Sequence, residues 1–238
     1  GWKALLDPAT RTVRGKDSQG RWREPFDPLA ATSPLANPGD YTEANAWQTT
    51  ATPALHDALG FRQALGGPAS LEAWLDRFFS LPLPRADKHL GQEALIGQYA
   101  HGNEPSHHIA WLYAFTPAPH KGHALVRRIA HEFYRPGPRG LIGNDDCGQM
   151  SAWLVFATLG LYPVQPASAT YVAGVPLVRR ARLQVGEGRW LTIVRETTPK
   201  PSGSPTATLD GEALPATALP HQRLARGGVL RLGPASGR

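Results

Sequence analysis

Apolar residues recur in this chain with two periods, a helical spacing across 53–161 and a strand-like alternation beyond Pro166. The segment 53–65 opens on Pro53, which suits a first helical turn, and stops at Gly66 and Gly67. Leu71, Trp74, Leu75 and Phe78 share one face of a second helix, with Ser70 as its expected cap. Further helices are expected over 105–115, with Ile109, Leu112 and Tyr113 inward, over 121–134, and over 148–161 before Pro163. Short connections predict antiparallel helical neighbours. Beyond Pro166 the runs ATYVAGVPLV, ARLQVG, RWLTIVRE, ATLDGEAL and GGVLRLG are separated by Gly, Pro and Asp turns and read as antiparallel strands. The expectation is a mainly α chain with a β-rich C-terminal part, divided into a helical domain over 1–165 and a β unit over 166–238. Residues 1–40 offer little periodic apolar surface and read as extended loop wrapping on something else, and 41–48 as a loop leading into a helix.

Composition narrows the function classes. At 238 residues and 41% hydrophobic, the chain can bury a sizeable core. Its net charge of +6 comes from dispersed arginines, and the densest group, Arg179, Arg180 and Arg182, reads as a solvated face, so no nucleic-acid partner is expected. No run reaches the roughly 18 apolar residues of a membrane span. The first residues lack an initiator Met and the apolar core of a secretory signal, which suggests a fragment or processed chain. The single Cys147 can form no internal disulfide and no zinc knuckle, and reads as a small buried residue.

Three polar stretches, each preceding a helix, carry the candidate chemistry: 41–48 (YTEANAWQ), 101–108 (HGNEPSHH) and 143–149 (GNDDCGQ). Each holds a carboxylate and an Asn, and loops at one end of a helical array can converge on one pocket. Glycosidic hydrolysis needs an acid for the leaving oxygen and a second carboxylate for water or the sugar, while an aromatic such as Trp47 packs on the sugar's C–H face. The same oxygens suit a hard cation such as calcium. Plainer readings stand beside these. The pair Asp145 and Asp146 reads equally as a helix cap, Glu43 as an ordinary loop acid, and Glu104 as a charge favouring a helix N-terminus. His107 and His108 read as hydrogen-bonded packing residues. Their side chains diverge and no HExxH occurs, which disfavours zinc, and no GxSxG, P-loop or GxGxxG accompanies a suitable strand.

Taken together, YTEANAWQ, HGNEPSHHIAWLYAF and GLIGNDDCGQMSAWLVFATLGLYPV, followed by YVAGVPLV and GGVLRLGP, resemble glycoside hydrolase family 92, the calcium-dependent exo-α-mannosidases. The resemblance implies a partial (α/α)6 toroid plus antiparallel, β-sandwich-like strands, with the remaining toroid helices and an N-terminal β domain as a missing part of the same protein. It implies inverting hydrolysis of terminal α-mannosyl linkages in mannans or N-glycans. Glu43 matches the general acid and Asp146 the general base, with Asp145 as alternate base. Glu104 and Asn103 match the calcium- and sugar-binding stretch, and Trp47, His107 and His108 line the subsite. The family implies Ca2+ as cofactor, an α-mannoside oligosaccharide or glycan as substrate, and a periplasmic or secreted protein. Ala44, where family members commonly have Gly, departs from the pattern and bears on subsite shape. Two readings remain beside it, a non-catalytic carbohydrate-binding protein and an inactive fragment of the enzyme.

Overall fold

The computed structural model describes residues 1–30, 44–82, 95–197 and 206–234. The chain opens with a 3-10 turn, Trp2–Leu5, and a short antiparallel pair, β1 (Leu6–Asp7) and β2 (Thr12–Val13). Helices α1 (Ala46–Thr50), α2 (Ala54–Ala64) and α3 (Pro68–Ser80) follow. The opening segment, in its described residues, wraps on these helices. Val13 N donates to Thr50 Oγ1 at 2.8 Å, Trp74 Nε1 to the Arg11 carbonyl at 3.1 Å, and the Arg11 guanidinium to the Leu65 carbonyl. Helix α3 starts at Pro68 after Gly67 instead of being capped by Ser70, because proline's fixed φ and missing N–H fit the first helical position.

A tight pair, β3 (Leu95–Ile96) and β4 (Tyr99–Ala100), leads into the second polar stretch. The helix expected over 105–115 is instead two 3-10 segments, Glu104–Ser106 and Ile109–Phe115. Helices α4 (Pro119–Glu132) and α5 (Gln149–Leu159) complete the helical part. Their inner residues join one core containing Trp47, Phe61, Trp74, Phe78, Ile109, Leu112, Ile129 and Trp153. Helix α5 ends at Gly160, whose φ of 73° is left-handed and whose added Cβ would meet Pro176 N at 2.6 Å. Only glycine fits both conditions.

Strands β5 (Leu161–Tyr162), β6 (Thr170–Ala173), β7 (Arg180–Gly186), β8 (Arg189–Arg195), β9 (Thr206–Leu209), β10 (Glu212–Leu214), β11 (Leu219–Pro220) and β12 (Gly228–Gly233) follow, with a short helix α6 (His221–Leu224) before β12. They form a three-stranded sheet, β11-β6-β5, and a five-stranded sheet, β10-β9-β12-β8-β7. The expectation of purely antiparallel strands is corrected here: β12 runs parallel to β8, Leu230 beside Ile193. The physical reason is connectivity. The β9–β10 hairpin, β11 and α6 intervene between them, a crossover long enough to return the chain in the same direction. Asp210 and Gly211, with φ of 51° and 88°, make the two-residue turn that closes the hairpin. Leu191, Ile193, Leu209, Leu219, Leu230 and Leu232 pack a second core. Phe156 of α5 packs against both cores.

Candidate active site

The acidic loop is built by a sharp backbone reversal. Asp146, Cys147 and Gly148 have φ of 40°, 59° and 88°, three successive left-handed residues immediately before α5. For a side chain larger than glycine that conformation is uncommon and costs roughly 1–2 kcal/mol per residue, so packing around the loop must hold it. The holding groups are identifiable. The Asp145 carbonyl accepts Gln149 N at 2.7 Å, and its carboxylate accepts Ser151 N at 2.8 Å and Ser151 Oγ at 2.9 Å. Those two Ser151 hydrogen bonds lower the Asp145 pKa. Gly148 is the N-cap residue, and Asp145 therefore caps α5 from outside by accepting the Ser151 N–H. Asp146 is exposed, and its carboxylate makes no hydrogen bond among the described residues.

The second polar stretch lies against this loop. A Cβ added to Gly143 would come within 2.9 Å of Gly102 Cα, so the two loops touch backbone to backbone. Trp153 Nε1 donates to the His107 carbonyl at 3.0 Å, and Gln149 Nε2 lies 3.4 Å from His107 Nδ1. Behind them runs a buried chain of hydrogen bonds. Tyr134 Oη donates its one proton to the Met150 carbonyl at 2.8 Å, so at 2.7 Å from His101 Nε2 it must accept. His101 Nδ1 is then the acceptor for Tyr99 Oη at 2.7 Å. Burial, and next the neighbouring His107, hold the His101 pKa down to about 3, so the ring is neutral. The N-terminal part of α5 is thus fastened to the 99–108 segment through Gln149, Trp153 and, by way of Tyr134, Met150.

The first polar stretch joins through amides. Asn45 caps α1 by accepting Gln48 N at 2.9 Å while Gln48 Oε1 accepts Asn45 N at 3.1 Å, a reciprocal capping box. Both side chains also reach Gln98: Asn45 Nδ2 donates to Gln98 Oε1 at 2.7 Å and Gln48 Nε2 to the Gln98 carbonyl at 3.1 Å. His108 Nε2 donates to the Ala51 carbonyl at 2.9 Å.

The predicted site residues occupy different depths. Asp146 is at the surface, Asp145 beside it as cap, and Asn103 and Glu104 at the half-buried turn, where Glu104 Oε1 is shielded from solvent. His107 and His108 are each 1% exposed and sit behind the turn. Trp47, 5% exposed, stacks on Trp74 at 5.4 Å between centroids and lines a cavity of about 370 Å³ with Arg11 and Arg77. Glu43 lies outside the described residues. Cys147, expected to be buried, is exposed. Gln149, His101 and Tyr134 were not among the predicted site residues; for Gln149 the available signal was its place one residue into the helix that follows the acid pair.

Carboxylates, amides and neutral imidazoles carried by two touching loops beside α5 define a loop-borne carboxylate site. The sequence matches the glycosyl hydrolase family 92 catalytic domain over residues 1–233. The chain belongs to that family. Among solved structures it is similar to a family GH92 α-mannosidase from Bacteroides thetaiotaomicron in complex with mannoimidazole. The two are 33% identical with a TM-score of 0.83, over 100% of this chain and 31% of the other. A family GH92 inverting mannosidase from Bacteroides thetaiotaomicron VPI-5482 is 30% identical with a TM-score of 0.76, over 99% of this chain and 32% of the other. An uncharacterised secreted glycosidase from Arthroderma benhamiae is 38% identical over 66 residues, 26% of this chain and 8% of that protein. The chain therefore spans about a third of the solved structures it matches.

Proposed function

We propose that this chain is the part of an exo-acting, inverting α-mannosidase that carries its general base, acting on terminal α-mannosyl linkages of mannans or N-glycans. The observation that carries the reading is the acidic loop seated on the Asn103–Glu104 turn, with Asp145 committed to capping and Asp146 facing solvent. Family membership and the α-mannosidases among its solved relatives support it. In this reading Glu43 gives a proton to the leaving oxygen, and Asp146 takes one from the water attacking the opposite face of the sugar. Asp145 is the alternate base. Inversion requires the two carboxyl groups roughly 6.5–9.5 Å apart. Trp47, Asn103, His107 and His108 shape the mannose subsite, the buried Trp47, His107 and His108 from behind its wall.

Asn103 and Glu104 fit calcium in donor chemistry, since amide and carboxylate oxygens are hard ligands. The described residues hold no group of three or more His, Cys, Asp or Glu placed for a metal, so these two supply part of a coordination shell. When bound, calcium would contact mannose hydroxyls as a Lewis acid and favour distortion of the ring. The helical part, 1–165, belongs in this reading to an (α/α)6 toroid, with 166–238 as a β unit beside it. Because the chain spans about a third of its solved relatives, turnover is assigned to the whole protein, whose further chain completes the toroid. Export, periplasmic or secreted, is proposed with support from the secreted relative; no described helix is long and apolar enough to cross a membrane.

In the whole protein, Asp146→Asn is expected to lower kcat on an aryl α-mannoside by about 10²–10⁴-fold, the usual worth of a general base. Chelation is expected to abolish turnover and added calcium to restore it. Unchanged kcat in Asp146→Asn removes the base assignment. Mannose binding by calorimetry without release by the unsubstituted protein replaces the enzyme reading with a non-catalytic sugar-binding one.

A further inference from the structure

The His107 ring fixes the orientation of an exposed amide beside Asp146. Its Nε2 lies 2.9 Å from the His101 carbonyl, and a carbonyl can only accept, so Nε2 carries the proton. In a neutral imidazole that donates through Nε2, Nδ1 keeps its lone pair and can only accept. The Gln149 atom facing Nδ1 at 3.4 Å must then be the amide nitrogen, which directs Oε1 away from the imidazole. The backbone is pinned as well, since Gln149 N donates to the Asp145 carbonyl at 2.7 Å and to the Asp146 carbonyl at 3.2 Å. The side chain is exposed at the first residue of α5. An uncharged acceptor is thus oriented by His107 on a doubly tethered backbone, three residues after Asp146.

We infer that Gln149 is a substrate-binding residue whose Oε1 accepts a hydrogen bond from one hydroxyl of the terminal sugar, oriented for it by His107. The inference rests on the α-mannosidase reading and adds to it a determinant of which sugar is accepted. A fixed acceptor distinguishes a hydroxyl pointing at it from one pointing away, so it reads the configuration at a single carbon.

The test uses the whole protein with aryl α-mannosides lacking the hydroxyl at carbon 2, 3, 4 or 6. With the unsubstituted enzyme, at least one deletion is expected to lower kcat/KM by about three- to tenfold, the worth of one neutral hydrogen bond. Gln149→Leu should lower kcat/KM on the complete mannoside by a similar factor and make one of those deletions silent. Gln149→Met, of nearly the same length, gives the same reading should Leu loosen the helix start. Full kcat/KM in both variants, or losses that multiply with every deletion, overturn the inference while leaving the mannosidase reading intact. Absence of turnover by the unsubstituted enzyme overturns both, and is distinguished because it precedes any substitution.

Discussion

His108 is enclosed and gives its Nε2 proton to the Ala51 carbonyl, so it joins the 101–108 turn to the end of α1 as a neutral ring. Burial holds its pKa down to about 4, against roughly 6.5 for an unperturbed histidine. The sign of the pH effect follows. Below about pH 6.5 the unfolded chain binds a proton that the folded chain refuses, so stability falls as pH drops toward 4 and is fully present above 6.5. For one such group the loss approaches roughly 3 kcal/mol. Chemical denaturation at pH 7 and pH 4.5 should show the decline, and His108→Gln should reduce it while keeping a donor for Ala51. An identical decline in the variant would place the acid sensitivity elsewhere.

At the level of elements, the site depends on two loops meeting without side chains between them. Gly143 faces Gly102, and an added methyl would sit 2.9 Å from its Cα. Gly143→Ala should therefore move the acidic loop off the Asn103–Glu104 turn. Displacement of a reacting group by about 1 Å costs on the order of 10²-fold in rate, whereas a contact between two half-buried loops outside both cores costs little stability. The expected result is a whole protein with nearly unchanged melting temperature and kcat lowered at least tenfold. Wild-type kcat would show that the loops can part without consequence. Much of this arrangement was legible in the sequence. The apolar spacing after Gly148 located α5, and the acids placed its start. The inward spacing of Ile109, Leu112 and Tyr113 shows that the segment is helical, but hydrogen-bond register, which apolar spacing does not report, makes Ile109–Phe115 a 3-10 helix. The parallel pairing of β12 with β8 was hidden because alternation shows which face is buried, not which strand lies alongside. The His101–Tyr134 contact, 33 residues apart in sequence, exists only after packing.

On the scale of the whole molecule, the helical and sheet cores meet through α5, where Phe156 packs against both. Removing most of a large core side chain costs roughly 3–5 kcal/mol when it is fully buried. Phe156 is half-buried, so Phe156→Ala should cost about 2 kcal/mol. Because the ring bridges two cores, the variant is expected to melt in two calorimetric steps where the parent melts in one. A single transition at lower temperature would mean that the remaining α5 contacts suffice to couple them. The chain also has one cysteine, and it stands exposed between Asp146 and Gly148. An alkylating dye added to these 238 residues therefore has a single thiol to find, and that thiol sits in the turn carrying the proposed base. These residues come with their own reporter position: fluorescence from a label at Cys147 would follow the geometry of the acidic loop, with no cysteine to introduce or remove within them.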